Sequence, residues 1–229
     1  MGIPSSQYHD QTSYARHKPS GHYLDWDNQP SITKTYPGIT PVRLTENPLL
    51  PQVSLSQILK EQKAPQINAL STLEDLSQIF GLTYSLTAKT AGSGRVFYYR
   101  SVASAGALYP IEMYLATPKI QGLNEGLYHY SIGLPGLSPL REGNFSHFLR
   151  SAGQWPEGFQ PGVVFLFTAI FFRSAWKYRD RAFRYHLLDA GHLIENLLLA
   201  LRAKNLPLAL TYDFDDPAIN RFLGLDTNR

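Results

Sequence analysis

The amino-acid sequence predicts an α+β fold, because helical and strand-like patterns are mixed along the chain without the regular alternation of βαβ units. The strongest helical pattern covers residues 181–204, where apolar side chains recur at i, i+3 and i+4. The strongest strand-like pattern covers residues 163–172, an unbroken β-branched and aromatic run that is typical of a strand buried on both faces.

The composition is that of an ordinary globular protein, with 229 residues of which 43% are hydrophobic and 17% charged. The absence of cysteine excludes disulfides, thiolate metal sites, iron–sulfur clusters and a cysteine nucleophile. The net charge of +3 is spread along the chain without a basic run, which argues against a nucleic-acid partner. Because the sequence shows neither a secretory signal pattern nor a membrane-spanning apolar stretch, we expect a cytoplasmic protein with no membrane partner.

Residues 1–50 form a polar segment that we interpret as an arm preceding a domain at residues 51–229. Prolines recur between positions 30 and 51 and predict that this arm is extended rather than helical. Its aromatic side chains, among them Tyr23 and Trp26, are unfavourable in water. We therefore expect the arm to pack on its own domain or on a partner.

Two helices are predicted near the start of the domain. The first covers residues 54–62, and the second begins with a capping box of Ser71 and Glu74 and ends at Gly81. The other predicted elements are a loop over 83–94, strands over 96–100, 111–117, 126–130 and 208–212, and short helices over 144–152 and 217–224.

The segment SAGALYP, residues 104–110, links two predicted strands. It carries one hydroxyl, at Ser104, and then three residues with almost no side chain, which would let a flat ligand approach the main chain closely. Gly106 can also adopt a positive φ. Judged on these seven residues alone, a tight turn in which the glycine serves only the geometry is the favoured interpretation.

Several further segments occur in order around SAGALYP: SGHYLDWDNQPS and KTYPG before it, and IEMY, GLYHY, KYRDRAFRYHLLDAGHLIENLLLA and INRFLGLD after it. Together they resemble the SagB-type branch of the nitroreductase-like flavoenzymes, which includes azoline dehydrogenases. The resemblance implies a nitroreductase-like fold with a central, mostly antiparallel sheet flanked by helices. It also implies hydride transfer through FMN, with NAD(P)H as an electron donor to consider, a small-molecule or modified-peptide substrate, and a site at a two-subunit interface.

The same resemblance implies which residues hold the flavin ring. Ser104, Gly106 and Leu108 would line the isoalloxazine. Arg100, immediately before the turn, would supply a polar contact to the flavin, and the alternative for this residue is an exposed charge at a strand end.

Lys177 and Tyr178 match the Lys-Tyr pair that serves proton transfer in the azoline dehydrogenases. Oxidation of an azoline removes a proton beside the departing hydride, and a Lys or Tyr with a lowered pKa can accept it. The alternative is a solvated cationic face, partly paired with carboxylates, formed by Lys177, Arg179, Arg181 and Arg184 with Asp180 or Asp189.

Two groups of His and Asp residues have spacings that a metal could use, and for both we favour other roles. His186, Asp189 and His192 follow one side of the long helix. The resemblance makes them structural, with Gly191 permitting close helix packing. For His17, His22 and Asp25 of the arm we prefer hydrogen bonding, so no metal site is expected.

Two features depart from the family pattern. Family members usually hold the FMN phosphate with an Arg-Arg-Ser-type stretch, whereas this chain has residues 60–66, KEQKAPQ, in the corresponding place. There Lys63 could replace one Arg as a point charge without the bidentate fork, and Ala64 supplies no hydroxyl. The sequence also ends soon after residue 226, where relatives continue with a strand and a basic segment, and some relatives consist of two such domains in tandem.

Three functions follow from these observations. The first is an FMN-dependent oxidoreductase that pairs as a homodimer or with a second nitroreductase-like domain. The second is a non-catalytic, flavin-poor domain that binds a peptide or completes the site of a partner subunit. The third is an enzyme of the same fold with another flat ligand.

Overall fold

The computed structural model describes residues 3–14, 21–60, 69–92 and 95–225. The strands are β1 (Val42–Arg43), β2 (Leu86–Gly92), β3 (Arg95–Arg100), β4 (Ile111–Thr117), β5 (Gly126–Ser131), β6 (Gly136–Glu142) and β7 (Val164–Ala169). The helices are α1 (Ser5–Thr12), α2 (Leu55–Lys60), α3 (Leu73–Thr83), α4 (Ser146–Ala152), α5 (Phe171–Tyr178), α6 (Ala182–Ala203) and α7 (Asp216–Leu223).

Five strands form one sheet in the order β1-β6-β5-β4-β7, and each neighbouring pair is antiparallel. β4 is buried along its whole length, and its successive side chains enter opposite faces. Met113 and Leu115 pack in one core with side chains of α3 and α6, whereas Tyr114 and Ala116 pack in another with side chains of α4 and α7. Helices therefore cover both faces, and the predicted α+β class with an antiparallel sheet between helices is confirmed.

The long helix α6 confirms the strongest sequence pattern to within one residue at each end. Its buried residues Leu193, Leu197 and Ala200 join the hydrophobic cores. The opposite side of the same helix exposes Phe183, Leu187 and Leu188 to solvent, with exposed fractions of 45%, 62% and 59%. On this side Phe183 also contacts Tyr8 of α1 and Phe171 of α5, with ring centroids 5.9 and 6.2 Å apart, so the exposed apolar surface is centred on Leu187 and Leu188.

The start and end of α3 differ from prediction. The capping box is formed by Thr72 and Asp75, because the Thr72 hydroxyl accepts from the Asp75 amide at 3.0 Å and the Asp75 carboxylate accepts from the Thr72 amide at 3.1 Å. Glu74 instead accepts from the Thr45 hydroxyl at 2.6 Å. The helix also continues past Gly81, its predicted end, to Thr83, and the Tyr84 amide caps it by donating to the Phe80 carbonyl.

Several predicted elements were wrong. The loop expected over 83–94 contains β2, which pairs with β3 in a separate hairpin. β6 was not predicted, and no strand forms over 208–212. The run over 163–172 divides, since β7 ends at Ala169 and α5 begins at Phe171. β7 is also an edge strand of the sheet, so most of its residues are half-buried rather than buried on both faces.

The arm is neither wholly extended nor detached. It begins with helix α1, contrary to the prediction, and its β1 pairs with β6 at the edge of the main sheet. Between these elements, Trp26 packs against Trp176 with ring centroids 5.3 Å apart. The arm therefore packs on its own domain, one of the two expected arrangements, although Tyr23 remains 91% exposed, contrary to the expectation for its aromatic side chains. Over the residues that the structure describes, no helix combines the length and apolar character needed to cross a membrane.

Candidate functional site

The 104–110 turn has an unusual backbone. Gly106, Ala107 and Tyr109 have φ angles of +66°, +53° and +47°. This left-handed region is unfavourable for residues with a β-carbon. The conformation at Ala107 and Tyr109 therefore depends on contacts that hold the turn from outside.

The first half of the turn is held by Asp189 of α6. Its carboxylate accepts from the Ser104 hydroxyl at 2.6 Å and from the Ala105 amide at 3.3 Å. The Ser104 oxygen in turn accepts from the Tyr109 amide at 2.8 Å. The hydroxyl that we expected to face a flavin ring is thus engaged in the turn's own hydrogen bonds.

The second half of the turn is held by Arg173 of α5. Its Nη1 donates to the Tyr109 carbonyl at 2.9 Å and to Glu112 at 2.5 Å. The second carboxylate oxygen of Glu112 lies 2.7 Å from Nε2 of His129. Since the side chains of Arg173, Glu112 and His129 are almost completely buried, this cluster is part of the protein interior rather than of its surface.

The Lys-Tyr pair, Lys177 and Tyr178, lies directly over Gly106. A β-carbon built on Gly106 would be 2.6 Å from the Tyr178 hydroxyl and 3.0 Å from Nζ of Lys177. Both side chains come from the last turn of α5. The structure therefore brings together two motifs that lie about seventy residues apart in the sequence, and it gives Gly106 a steric role as well as a conformational one.

The phenols around this pair differ in their tendency to ionise. Burial, with the nearby Tyr185, Tyr14 and Asp189, raises the pKa of Tyr178 above its usual range. Burial acts in the same direction on Tyr185, but hydrogen bonds from Tyr14 and Arg181 outweigh it and lower the pKa of Tyr185. The rings of Tyr178 and Tyr185 are 4.5 Å apart. At neutral pH, Tyr178 is accordingly a protonated hydrogen-bond donor.

Arg100 corrects one sequence interpretation, because it is not an exposed strand-end charge: only 8% of its surface is accessible. One guanidinium nitrogen contacts the Tyr84 hydroxyl and another donates to the Ile32 carbonyl of the arm at 2.7 Å. The group also lies over the Tyr109 ring, 4.2 Å from its centroid. In this arrangement Arg100 links the arm to the turn, and two of its guanidinium nitrogens contact protein groups.

The remaining residues predicted to contact the flavin ring or its phosphate, Leu108, Gly106 and Lys63, differ in their exposure and in whether the structure describes them. Leu108 is only 4% exposed, so it offers almost no surface to a ligand in this structure. Gly106 and Ala103 are exposed, and Ala105 and Ala107 are half-buried, which leaves the small-residue side of the turn accessible. Lys63, the candidate phosphate contact, lies outside the described residues.

Two of the four cations considered for a solvated face, Arg181 and Arg184, bind α1 instead, whereas Arg179 is exposed. Arg181 contacts the Thr12 carbonyl, and Arg184 donates to the Thr12 hydroxyl at 2.9 Å and to the His9 carbonyl at 3.1 Å. Neither forms an ion pair with Asp180 or Asp189 among the described residues. These arginines hold α1 against the start of α6.

The His and Asp residues on α6 have separate surroundings. His186 is 4% exposed and packs against Phe171, with ring centroids 4.3 Å apart. The described residues contain no cluster of three or more His, Asp or Glu side chains that could bind a metal. A β-carbon on Gly191 would meet nothing within 4 Å, so the close helix packing expected there is not made within the described chain.

Sequence reasoning missed the Glu112–Arg173–His129 cluster. Its signal was present, because Glu112 and His129 stand inside strands whose other residues are largely apolar, and Arg173 directly follows an apolar run. A charged residue in a buried strand requires a partner of opposite charge. What the sequence alone could not supply was the identity of that partner.

An apolar cavity of about 640 Å³ lies elsewhere in the fold. β7, the second half of α6 and residues 206–214 line it. Its lining includes neither the 104–110 turn nor the Lys-Tyr pair. The cavity is therefore separate from the candidate site.

The nitroreductase family model matches residues 45–229. A protein of Methanocaldococcus jannaschii that is named as a nitroreductase is 27% identical over 182 residues, which cover 78% of this chain and 88% of that protein. The trifolitoxin-processing protein TfxB of Rhizobium leguminosarum bv. trifolii is 31% identical over 139 residues, which cover 56% of this chain and 36% of TfxB.

A crystal structure from Anabaena variabilis, described as a nitroreductase, superposes with a TM-score of 0.73 and 31% sequence identity. The match covers 96% of this chain but 43% of that one. The chain thus spans less than half the length of TfxB and of the Anabaena protein. These relatives confirm the nitroreductase-like assignment that the ordered sequence segments predicted.

Proposed function

Because the chain belongs to the nitroreductase family, we propose that it is an FMN-dependent oxidoreductase whose flavin ring lies against the 104–110 turn. The observation that carries this proposal is the convergence of Lys177 Nζ and the Tyr178 hydroxyl on Gly106. Two groups able to exchange protons meet a stretch of main chain whose own side chains are small. Such a site suits a flat redox ligand and a proton transfer beside it.

The residues present fit the ring of FMN. Gly106 presents no β-carbon where the Lys-Tyr pair meets the turn, and Ala103, Ala105 and Ala107 leave the rest of the turn's main chain exposed or half-buried. The turn is also fixed at both ends by buried hydrogen bonds, so it is preorganised rather than adaptable. When bound, FMN supplies the hydride-accepting and hydride-donating chemistry that the amino-acid side chains lack.

The two residues of the pair receive different roles. Tyr178 keeps its proton at neutral pH because burial raises its pKa, and it is assigned as a hydrogen-bond and proton donor. Lys177 is assigned as the second proton-transfer group, since its amine is the other group that meets Gly106, and it would accept a proton in its neutral form. A protein named for trifolitoxin processing is among the relatives, which supports a modified peptide as the substrate, with a small molecule as the alternative.

We further propose that a second nitroreductase-like unit covers the exposed side of α6. Leu187 and Leu188 are exposed there next to Phe183, whose ring also contacts Tyr8 and Phe171, and a β-carbon on Gly191 would meet nothing within 4 Å. The unit is a second copy of this chain or a homologous domain. The length of the Anabaena chain, of which this chain matches 43%, is compatible with the second arrangement.

The decisive measurement is the absorbance spectrum of the purified protein, before and after addition of FMN. We expect flavin bands, retained through gel filtration, and their loss on anaerobic addition of NAD(P)H if the protein acts as a reductase. Lys177→Ala and Tyr178→Phe should lower turnover by about a hundred-fold, the usual contribution of a positioned acid or base, while FMN stays bound.

Lys89→Ala, which removes an exposed amine on β2, is the matched control and should leave the spectrum and turnover unchanged. A colourless protein that takes up no FMN would contradict the proposal. It would favour the non-catalytic domain that binds a peptide or completes a partner's site, or an enzyme of this fold with another flat ligand.

A further inference from the structure

The 104–110 turn is bound at each end to a different helix. Asp189 of α6 holds Ser104 and Ala105, and Arg173 of α5 holds the Tyr109 carbonyl. Between these two attachments lie the left-handed residues Gly106 and Ala107. The part of the turn that faces the Lys-Tyr pair is therefore suspended between two buried side chains.

The same helices carry the Lys-Tyr pair. Lys177 follows Arg173 by four residues on α5, so the two side chains lie on one face of that helix. Asp189 lies on α6, which is separated from Tyr178 by only three residues. The turn and the pair thus share one frame, and the distance between them is set by the contacts at Arg173 and Asp189.

We propose that Asp189 is a positioning residue of the site: through its hydrogen bonds to Ser104 and Ala105 it fixes the contact between the main chain at Gly106 and the Lys-Tyr pair. That a flavin ring lies against this turn rests on the function proposed above, but the hydrogen bonds made by Asp189 do not. Neither the family match nor the names of the relatives assign this role to Asp189.

The chemistry of the three groups explains why a carboxylate is needed. The Ser104 hydroxyl and the Ala105 amide both donate, one to each oxygen of Asp189. An ionised carboxylate accepts both, whereas a carboxamide has one accepting oxygen. Because the Ser104 oxygen also accepts from the Tyr109 amide, these hydrogen bonds extend across the turn to the residue that Arg173 holds.

Arg173 contributes to the same frame but is a poor residue to test. It also donates to the Ser31 carbonyl of the arm and to Glu112, so its replacement would disturb several parts of the interior together. Among the described residues, the side-chain hydrogen bonds of Asp189 are made to the turn alone. Its replacement is therefore the more selective change.

Hydrogen–deuterium exchange of the flavin-free protein tests the hydrogen bonds of Asp189 directly. In Asp189→Ala we expect amides of the 104–110 turn to exchange about ten-fold faster, because hydrogen bonds to a charged acceptor are lost. Peptides from β4 and β5 should keep their wild-type rates. Asp189→Asn should be intermediate, since one of the two acceptors remains. Ser104→Ala should also loosen the turn and provides a second variant if Asp189→Ala does not fold.

An FMN titration of the same proteins tests the consequence for the site. Asp189→Ala should bind FMN about ten-fold more weakly than wild type, and Asp189→Asn should recover part of the affinity. Glu195→Ala is the matched control, because Glu195 is an exposed carboxylate on the same helix. It should change neither the exchange of the turn nor the affinity.

The two measurements separate this inference from the proposed function. If wild type binds no FMN, the proposed function fails, and the exchange data alone decide whether Asp189 positions the turn. If Asp189→Ala exchanges and binds FMN as wild type does, the positioning role is wrong while the proposed function stands. A uniform increase in exchange over the whole protein would also overturn the inference, since it would show a general loss of stability.

Discussion

Two buried carboxylates lie on either side of the 104–110 turn, and they behave in opposite ways. Glu112 and Asp189 are each 6% exposed. Burial favours the neutral form of both, but hydrogen bonds and charges from His129 and Arg173 outweigh it at Glu112 and lower its pKa. At Asp189 burial outweighs the hydrogen bonds from Ser104 and Ala105, and its pKa is raised. Since the two side chains are equally exposed, the direction of each pKa shift is determined by the hydrogen-bonding and charged partners of the carboxylate.

This difference separates two tasks. Glu112 meets a full positive charge and is a fixed part of the interior that ties α5 to the sheet. Asp189 meets a hydroxyl and an amide, which hold it in place without compensating its charge. The first carboxylate stabilises the frame of the site, and the second determines how one loop sits on that frame.

Glu112→Gln gives the largest expected effect, because it leaves the charge of Arg173 buried without its counter-ion. We expect the free energy of unfolding to fall by about 3–5 kcal/mol. Chemical denaturation measures this loss. Glu142→Gln, at an exposed position on β6, should stay within about 0.5 kcal/mol of wild type. A similarly small loss for Glu112→Gln would mean that the two carboxylates do not differ in the way described.

Gly106→Ala gives an intermediate effect on the region between the two carboxylates. An alanine there would have to adopt a strained φ of +66°, and its β-carbon would lie 2.6 Å from the Tyr178 hydroxyl. We expect a loss of about 1–2 kcal/mol in stability and displacement of the Lys-Tyr pair.

The affinity for FMN should fall together with turnover in this variant. Gly133→Ala, where a β-carbon meets nothing within 4 Å, is the control for both measurements. Normal FMN binding by Gly106→Ala would place the ring elsewhere than against this turn.

The smallest expected effects are on the pH dependence of the free energy of unfolding, and they have opposite signs for Glu112 and Asp189. The lowered pKa of Glu112 contributes stability that is present above its unfolded value of 4.5 and is lost as the pH falls through its folded pKa. The raised pKa of Asp189 makes the folded state bind the extra proton first, so this group adds stability as the pH falls toward 3.8.

Each unit of pKa difference corresponds to about 1.4 kcal/mol. Unfolding free energies measured between about pH 3 and 7 should therefore show a weaker acid loss in Glu112→Gln than in wild type. Asp189→Asn should lack the gain near pH 4, with His186, His192 and Tyr178 as the neighbouring titratable groups. Parallel profiles for the two variants would refute the contrast.

The sequence predicted those parts of the fold that local patterns determine. α6 and β4 were found almost to the residue, because a long apolar periodicity and a run of strand-forming residues are visible without knowledge of neighbours. β2 was missed because LTAKTAG has few strand-forming side chains, and the strand exists through its pairing with β3. α5 was missed because FFRSAW continues the aromatic run of β7.

The candidate site was predictable in its members more than in its geometry. Gly106, Ser104, Lys177 and Tyr178 were named from the sequence, and the structure brings all four to one place. The partners that hold them, Asp189 and Arg173, act across a large separation along the chain, and no local pattern encodes which of several charged residues will meet the turn.

Arg173 and Arg100 hold the arm through the carbonyl groups of Ser31 and Ile32, and these hydrogen bonds matter for the design of truncated variants. The family match begins at residue 45, which would be the natural starting point of a truncated protein chosen by sequence similarity. Such a protein would leave Nε of Arg173 and Nη2 of Arg100 without the carbonyl groups that now accept from them. Both arginines are buried and touch the 104–110 turn through Tyr109. The smallest piece that keeps its site intact therefore begins well before the boundary that sequence similarity suggests.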